Sequence, residues 1–336
     1  MARPVPFALV YLAMVRAVFM GSDAFSLPVL EALLAHGPSL SVPVETAAVV
    51  TQPDRAAGRG RTVRPNAVKA LALNRELVVL QPDRIRRPEA VQSVLEISPD
   101  LIVVASFGQI LPAALLEAPR YKSLNLHPSL LPRLRGASPI QTAILEGHSR
   151  TGTTLILMTT EMDAGPILAQ KDVAVRESET SGELTDRLAA LSGELLLQTL
   201  PDWIAGKLSP RPQDDSLATY SPRIAKEDGL LDWSLPAETL ARRIRAFNPW
   251  PVAHTYWQGR LLRLLRARSR PGSAEPGRVY GVERGSLSVG SGSGVLLIDE
   301  MQLAGGKPAR AADLARGHPA LLSARFTSEA EVWSSA

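Results

Sequence analysis

The sequence predicts an α/β protein with a Rossmann-like, mostly parallel sheet domain followed by a smaller OB-like β-barrel domain. Three observations carry that prediction. Over the first two hundred residues, short apolar runs alternate with segments of helical spacing, the pattern of right-handed βαβ units. A long amphipathic pattern at 181–205 then gives way to 206–222, which holds three prolines, Gly206 and few apolar residues. Beyond it, short strand-like runs recur between Gly, Ser and Pro turns, as in small barrels.

The elements follow in order. Strands are expected at 15–20, 45–51, 77–80, 101–106, 123–126 and 152–158, where β-branched and aliphatic residues concentrate. Met20-Gly-Ser-Asp23 closes the first: Gly21 gives a tight turn and Asp23 an N-cap for a helix over 25–35. Asn66 opens a second helix, 66–74, and Pro88 and Pro139 stand at the first positions of helices at 88–97 and 139–145. The segment 52–64 reads as a loop. Downstream, a helix is expected at 237–247 and strands at 252–257, 260–268, 278–280, 286–289 and 295–303. The chain therefore divides into an N-terminal extension (1–13), a first domain (14–205), a linker (206–223) and a second domain (224–330).

Composition narrows the function classes. The 336 residues are 45% apolar, ample for buried cores. There is no cysteine, which excludes disulfides, thiolate metal sites and thiol nucleophiles. No apolar run reaches the length of a membrane span. The run at 5–15 follows Arg3 but is cut by Arg16 and lacks a small-x-small cleavage site. It reads as an upstream extension, with Met14 an alternative start, and a cytoplasmic monomer is expected. Residues 1–205 carry 19 basic against 20 acidic side chains, and residues 206–336 carry 18 against 13. Between Arg242 and Arg270 there are eight arginines and no acid. That asymmetry suggests a polyanionic partner for the second half.

The chemistry concentrates in Ser123-Leu-Asn-Leu-His-Pro-Ser-Leu-Leu-Pro132, followed by Arg133-Leu-Arg-Gly-Ala-Ser-Pro139. Asn125 and His127 stand two apart on a strand and project to one face. They leave the sheet at a strand's carboxyl end, where open α/β sheets bind ligands. An imidazole titrating near neutrality moves protons, and a neutral amide can donate to a developing oxyanion. The remaining histidines, His36, His148, His254 and His318, lack such a setting. No HxH or HExxH pattern suggests a metal, and the absence of GxGxxG after the first strand argues against NAD.

Asn-Leu-His-Pro-Ser-Leu-Leu-Pro-x-x-x-Gly-x-x-Pro, with Asp163 in Glu161-Met-Asp-Ala-Gly165, resembles the signature of the 10-formyltetrahydrofolate-dependent formyltransferases. Thr51-Gln-Pro-Asp-Arg-Ala-Ala-Gly-Arg-Gly60 and Arg245-Ala-Phe-Asn-Pro-Trp-Pro251 resemble the methionyl-tRNA formyltransferases among them. The resemblance runs from about Val15 to the last few residues. It implies direct formyl transfer from 10-formyltetrahydrofolate to initiator methionyl-tRNA, with no metal and no covalent enzyme intermediate. In that reading His127 is the acid–base, Asn125 the oxyanion stabiliser and Asp163 the group that orients His127. Ser129, Leu130, Leu131 and Pro132 match the folate-contacting loop, and Phe107, Gly108, Gln109, Ile110 and Leu111 the loop that shapes the pteridine pocket. The loop with Arg55, Arg59, Arg61 and Arg64 matches the tRNA-engaging insertion, and Arg242, Arg243 and Arg245 extend the basic surface. Phe247-Asn-Pro-Trp-Pro251 reads as a packed corner. Two rivals stay open: a formyltransferase for a small amine (glycinamide ribonucleotide or an amino sugar), and an inactive folate- or RNA-binding module. Departures from the family pattern are Asp23-Ala-Phe25 in the first turn, Pro128 where some relatives have glycine, and the N-terminal extension.

Overall fold

A near-continuous apolar run builds β1 (Val15–Gly21), whose Ala17 to Met20 are wholly buried, as in a strand covered on both faces. The computed structural model describes residues 14–57 and 62–328; the expected extension at 1–13 lies outside them. After β1 come α1 (Ser26–His36), β2 (Val44–Val50), the short pair β3 (Arg55–Ala57) and β4 (Thr62–Arg64), α2 (Ala67–Asn74), β5 (Val78–Leu80), α3 (Pro88–Leu95), β6 (Leu101–Ala105) and α4 (Ala113–Glu117). Next are β7 (Ser123–His127), β8 (Arg135–Gly136), α5 (Pro139–Leu145), β9 (Arg150–Leu157), β10 (Ile167–Ala174) and α6 (Ser181–Ile204). The chain then forms β11 (Tyr220–Ser221), α7 (Ala237–Ala246), β12 (His254–Trp257), β13 (Arg260–Arg270), β14 (Val279–Glu283), β15 (Ser286–Gly290), β16 (Val295–Leu303), β17 (Ala309–Arg310) and α8 (Ala311–Gly317).

Two packing units interleave along the sequence. One holds the described residues up to Pro132 together with Gly152–Lys171 and Asp186–Ala218. The other holds Arg133–Thr151, Asp172–Thr185 and the chain from Thr219 on.

The first unit centres on a seven-stranded sheet of order β10-β9-β7-β6-β1-β2-β5. The pairs β5–β2, β2–β1, β1–β6 and β6–β7 are parallel, and β9 runs antiparallel to β7. The chain builds outward from β1 to β5 and then crosses back, so the strand order reverses between β1 and β6. Ligands of open α/β sheets bind at that switch, outside the strands' carboxyl ends. Val18, Met20, Ala48, Ile102, Val104 and Leu115 form a core on one face of the sheet, and each such large aliphatic side chain contributes about 1.5–3 kcal/mol by its burial.

The second unit contains an antiparallel sheet of order β12-β13-β16-β15-β14, with β17 on β16. Residues 325–327 bridge to both edges, through Tyr256–Thr327 and Arg278–Arg325, and so join β12 to the entry of β14. The expected second domain is thus an antiparallel sheet with residues 325–327 bridged to both of its outer strands' ends.

Two expectations need correction. The segment 52–64 is not simply a loop: β3 and β4 pair antiparallel, Arg55 opposite Arg64 and Ala57 opposite Thr62. Three-residue arms are too short to show a period. Strand β10 was not expected at all; Gln170-Lys171-Asp172 interrupts its apolar pattern, as suits a sheet edge.

Candidate active site

Strand β7 places Asn125 opposite Val104 and Ile156, and His127 opposite Thr154. The strand ends there because the Ser129 N–H turns back to the His127 carbonyl at 2.9 Å. Asn125 is half-buried, and its carboxamide makes no hydrogen bond with a described residue. His127 is only 4% exposed. Its Nδ1 lies 3.6 Å from Asp163 Oδ1, so the imidazole and the carboxylate from the loop after β9 come together.

The Asp163 turn is held from two sides. Asp163 itself adopts the left-handed region (φ +52°). Gly165 passes so close to the Leu157 carbonyl that a Cβ would stand 1.8 Å from that oxygen, so only glycine fits. Gln213 Nε2 donates to the carbonyls of Asp163 and Gly165, both at 2.7 Å. Thr154 fixes the other loop: its hydroxyl donates to the Ser129 carbonyl at 2.6 Å and accepts from the Leu131 N–H at 3.1 Å. Gln170 Nε2 donates to both the Leu131 carbonyl and Thr154 Oγ1. Gln213, Thr154 and Gln170 had no signal in the sequence, since their role is to bind backbone of loops remote along the chain.

The loop residues divide by depth. Ser129 and Leu131 are buried, whereas Leu130 and Pro132 are half-buried. Phe107 and Leu111 are core side chains, and Ile110 is 52% exposed. Gln109 spends its amide on the chain at 82–85: Oε1 accepts from the Ile85 N–H at 2.7 Å and Nε2 donates to the Pro82 carbonyl at 3.2 Å. The Phe107 carbonyl accepts from Gln52 Nε2 and Ser22 Oγ, and Ser106 Oγ donates to Asp23 at 2.5 Å. This lattice sets the ends of β1 and β6 and leaves the backbone around Gly108 (φ +79°) and the Ile110 side chain as the loop's outward features.

Of the basic residues expected to meet RNA, Arg59 and Arg61 lie outside the described residues. Arg55 and Arg64 are the paired bases of the β3–β4 hairpin. Beside them Asp54, the segment's only acid, is tied to Lys69 at 2.5 Å and Gln81 at 2.8 Å, and these hydrogen bonds hold its carboxyl below the usual range. In the second unit, Arg243 donates to the Asp228 carbonyl at 2.7 Å and lies over the Phe247 ring, whereas Arg242 and Arg245 share a different surface of α7. Phe247 is buried, and Asn248 donates to the Leu265 carbonyl while its own carbonyl accepts from Ser181 and Gly182. Among the described residues, no three His, Asp or Glu side chains cluster as metal ligands, and no helix is long and apolar enough to cross a membrane.

The formyl transferase family model matches residues 15–200, and that of the formyl transferase C-terminal domain matches 223–319. A methionyl-tRNA formyltransferase of Bacillus subtilis (strain 168) is 44% identical over 307 residues, covering 90% of this chain and 95% of the relative. Another, from Pelobacter propionicus, is 44% identical over 302 residues, covering 90% and 93%. In fold, HypX from Aquifex aeolicus, solved in complex with tetrahydrofolic acid, superposes with a TM-score of 0.59 at 19% identity, covering 89% of this chain and 46% of that one. An N-formyltransferase from Helicobacter canadensis superposes with a TM-score of 0.59 at 15% identity, covering 85% and 99%. With both family models matched and 44% identity sustained along nine-tenths of its length, this chain is an enzyme of the formyl transferase family.

Proposed function

We propose that the protein transfers the formyl group of 10-formyltetrahydrofolate to the α-amino group of initiator methionyl-tRNA, giving formylmethionyl-tRNA and tetrahydrofolate. The observation that carries this reading is His127 set against Asp163 at 3.6 Å, two residues along β7 from an uncommitted Asn125 amide. The amine attacks the formyl carbon, and Asn125 donates to the oxygen as it becomes negative. His127 takes the proton that the amine sheds and returns it to N10 as the carbon–nitrogen bond breaks, so protons and charge balance. Asp163 orients the ring and stabilises its protonated form. A separation of 3.6 Å before substrate binds suits a contact that tightens in the loaded complex. Leu130, Pro132 and Ile110 supply apolar cover for the pteridine, and backbone near Gly108 its polar contacts. The hairpin arginines and those of α7 meet the RNA. The acceptor assignment follows the curated relatives, which are named for methionyl-tRNA.

The test is to incubate the protein with 10-formyltetrahydrofolate and methionyl-tRNA, glycinamide ribonucleotide or an amino sugar, then identify the formylated product. Formylmethionyl-tRNA is expected. Formylation of a small amine alone would replace the acceptor, and no product with any acceptor would leave a binding module.

A further inference from the structure

A cleft of about 590 Å3 opens within the second unit, walled by α7, the Arg266–Ser269 stretch of β13 and the segment 175–178. Arg176, Arg242, Arg245, Arg266 and Arg268 all line it, with His148. Arg242 and Arg245 lie three apart on α7 and so share a face, while Arg243 is committed elsewhere.

The five guanidiniums divide by partner. Arg266 donates to Glu183 at 2.6 Å, Arg268 lies 3.5 Å from Asp299, and Arg242 donates to the largely exposed Glu238 at 3.1 Å. Arg245 donates to the Glu179 carbonyl at 3.1 Å, and neither it nor Arg176 has a carboxylate within ion-pair distance among the described residues. Glu177 also lines the cleft. Arg242 Nε is a buried donor without a hydrogen-bond partner. Its guanidinium packs against Gly147, where a Cβ would stand 2.4 Å from Nη1. Burial first, and then the neighbouring charge of Arg242, lower the pKa of Arg245. Two cations are thus held side by side, partly desolvated, with donors to spare.

We infer that this cleft is a phosphate subsite, in which Arg176, Arg242 and Arg245 hold one phosphate group against a wall fixed by Arg266–Glu183 and Arg268–Asp299. Guanidinium forks match phosphate oxygens in geometry and keep their charge on partial burial. The carboxylates lining the cleft limit it to a single anionic group, and its volume leaves room for an attached sugar. The source is a backbone phosphate of the RNA acceptor or a free phosphate ester. Only the first source rests on the acceptor proposed above.

The experiment compares the intact protein with Arg176→Gln, Arg245→Gln and Arg245→Lys, measuring calorimetric binding of inorganic phosphate and methionyl-tRNA affinity at several salt concentrations. Arg176 is exposed, so its replacement leaves the fold intact, and thermal unfolding checks all three. For an RNA phosphate, each Gln variant is expected to weaken tRNA binding and to lower the slope of log affinity against log salt by about 1. Arg245→Lys should restore the slope but not the full affinity, because an ammonium keeps charge without the fork. Ethylation of the bound phosphate should weaken binding to the intact protein and have a smaller effect on Arg245→Gln. Loss of inorganic phosphate binding in both Gln variants, with tRNA slopes unchanged, would assign the site to a free phosphate ester. If neither ligand responds to either arginine, the subsite is refuted. Failure to formylate methionyl-tRNA would overturn the proposed acceptor while leaving the phosphate measurement decisive for the cleft.

Discussion

The backbone of His127 is fixed by strand pairing with Thr154 and by the Ser129 N–H on its carbonyl, contacts that do not involve the ring. His127→Ala is expected to lower turnover by about a hundredfold or more, the scale of a lost acid–base. Asn125→Ala should act similarly through the oxyanion, and folate binding should survive both. Near-normal turnover in either variant would remove that residue from the mechanism. Gln213 offers a finer test, because its amide binds the Asp163 and Gly165 carbonyls and so holds the turn that carries the carboxylate. Gln213→Leu keeps the volume and loses both hydrogen bonds. If the Asp163 turn must be held for His127 to work, kcat should fall by about tenfold to a hundredfold, with KM for the folate little changed. The chemistry-bearing pair was legible because a strand's alternation puts Asn125 and His127 on one face. Asp163 needed the family resemblance. Gln213 was illegible, because a glutamine in a proline-rich stretch carries no pattern that points to a turn 50 residues away.

Helix α6 shows what element-scale signals deliver. Thr180-Ser-Gly-Glu183 is a capping box: the Thr180 N–H donates to Glu183 Oε2 at 2.9 Å, and the Glu183 N–H donates back to Thr180 Oγ1 at 3.3 Å. That signature stands openly in the sequence, and the helix begins where 181–205 was expected. The Thr180 N–H, and then Arg266, hold the Glu183 carboxyl below the usual glutamate range. Because the folded value is depressed, its stabilisation is complete above the unfolded pKa of about 4.3 and is lost as pH falls through the lower folded value. Glu183→Ala is expected to cost about 1 kcal/mol at neutral pH, and Glu183→Gln to flatten the fall in stability on the acid side. Urea midpoints measured from pH 6 down to pH 3 decide this; parallel curves for wild type and Glu183→Gln would refute the linkage. The hairpin β3–β4 and the edge strand β10 were not legible, since short arms and a charged edge obey pairing with neighbours rather than a pattern of their own.

At the scale of the molecule, sequence order and packing order differ. The family models match residues 15–200 and 223–319 and leave 201–222 between them. Yet Arg133–Thr151 and Asp172–Thr185, which precede that stretch, pack with the chain that follows it. The Leu134 and Arg135 N–H groups donate to Thr219 at 2.9 Å, and the Gly182 N–H to the Asn248 carbonyl at 3.0 Å. Helix α5, with Ile140, Ala143 and Ile144 buried, packs on α7. Such ties were invisible because composition and proline content locate a flexible connector but say nothing of which earlier segments dock beyond it. A fragment of residues 14–205 would leave those N–H groups and apolar faces without partners, at about 1.5–3 kcal/mol for each large aliphatic side chain exposed. That is a large share of the 5–15 kcal/mol by which domains are stable. The fragment is therefore expected to melt well below the full chain, or to aggregate, and co-expression with residues 206–336 should restore its solubility. Equal melting temperatures for fragment and full chain would show that the first domain is self-sufficient and that the interleaved contacts contribute little.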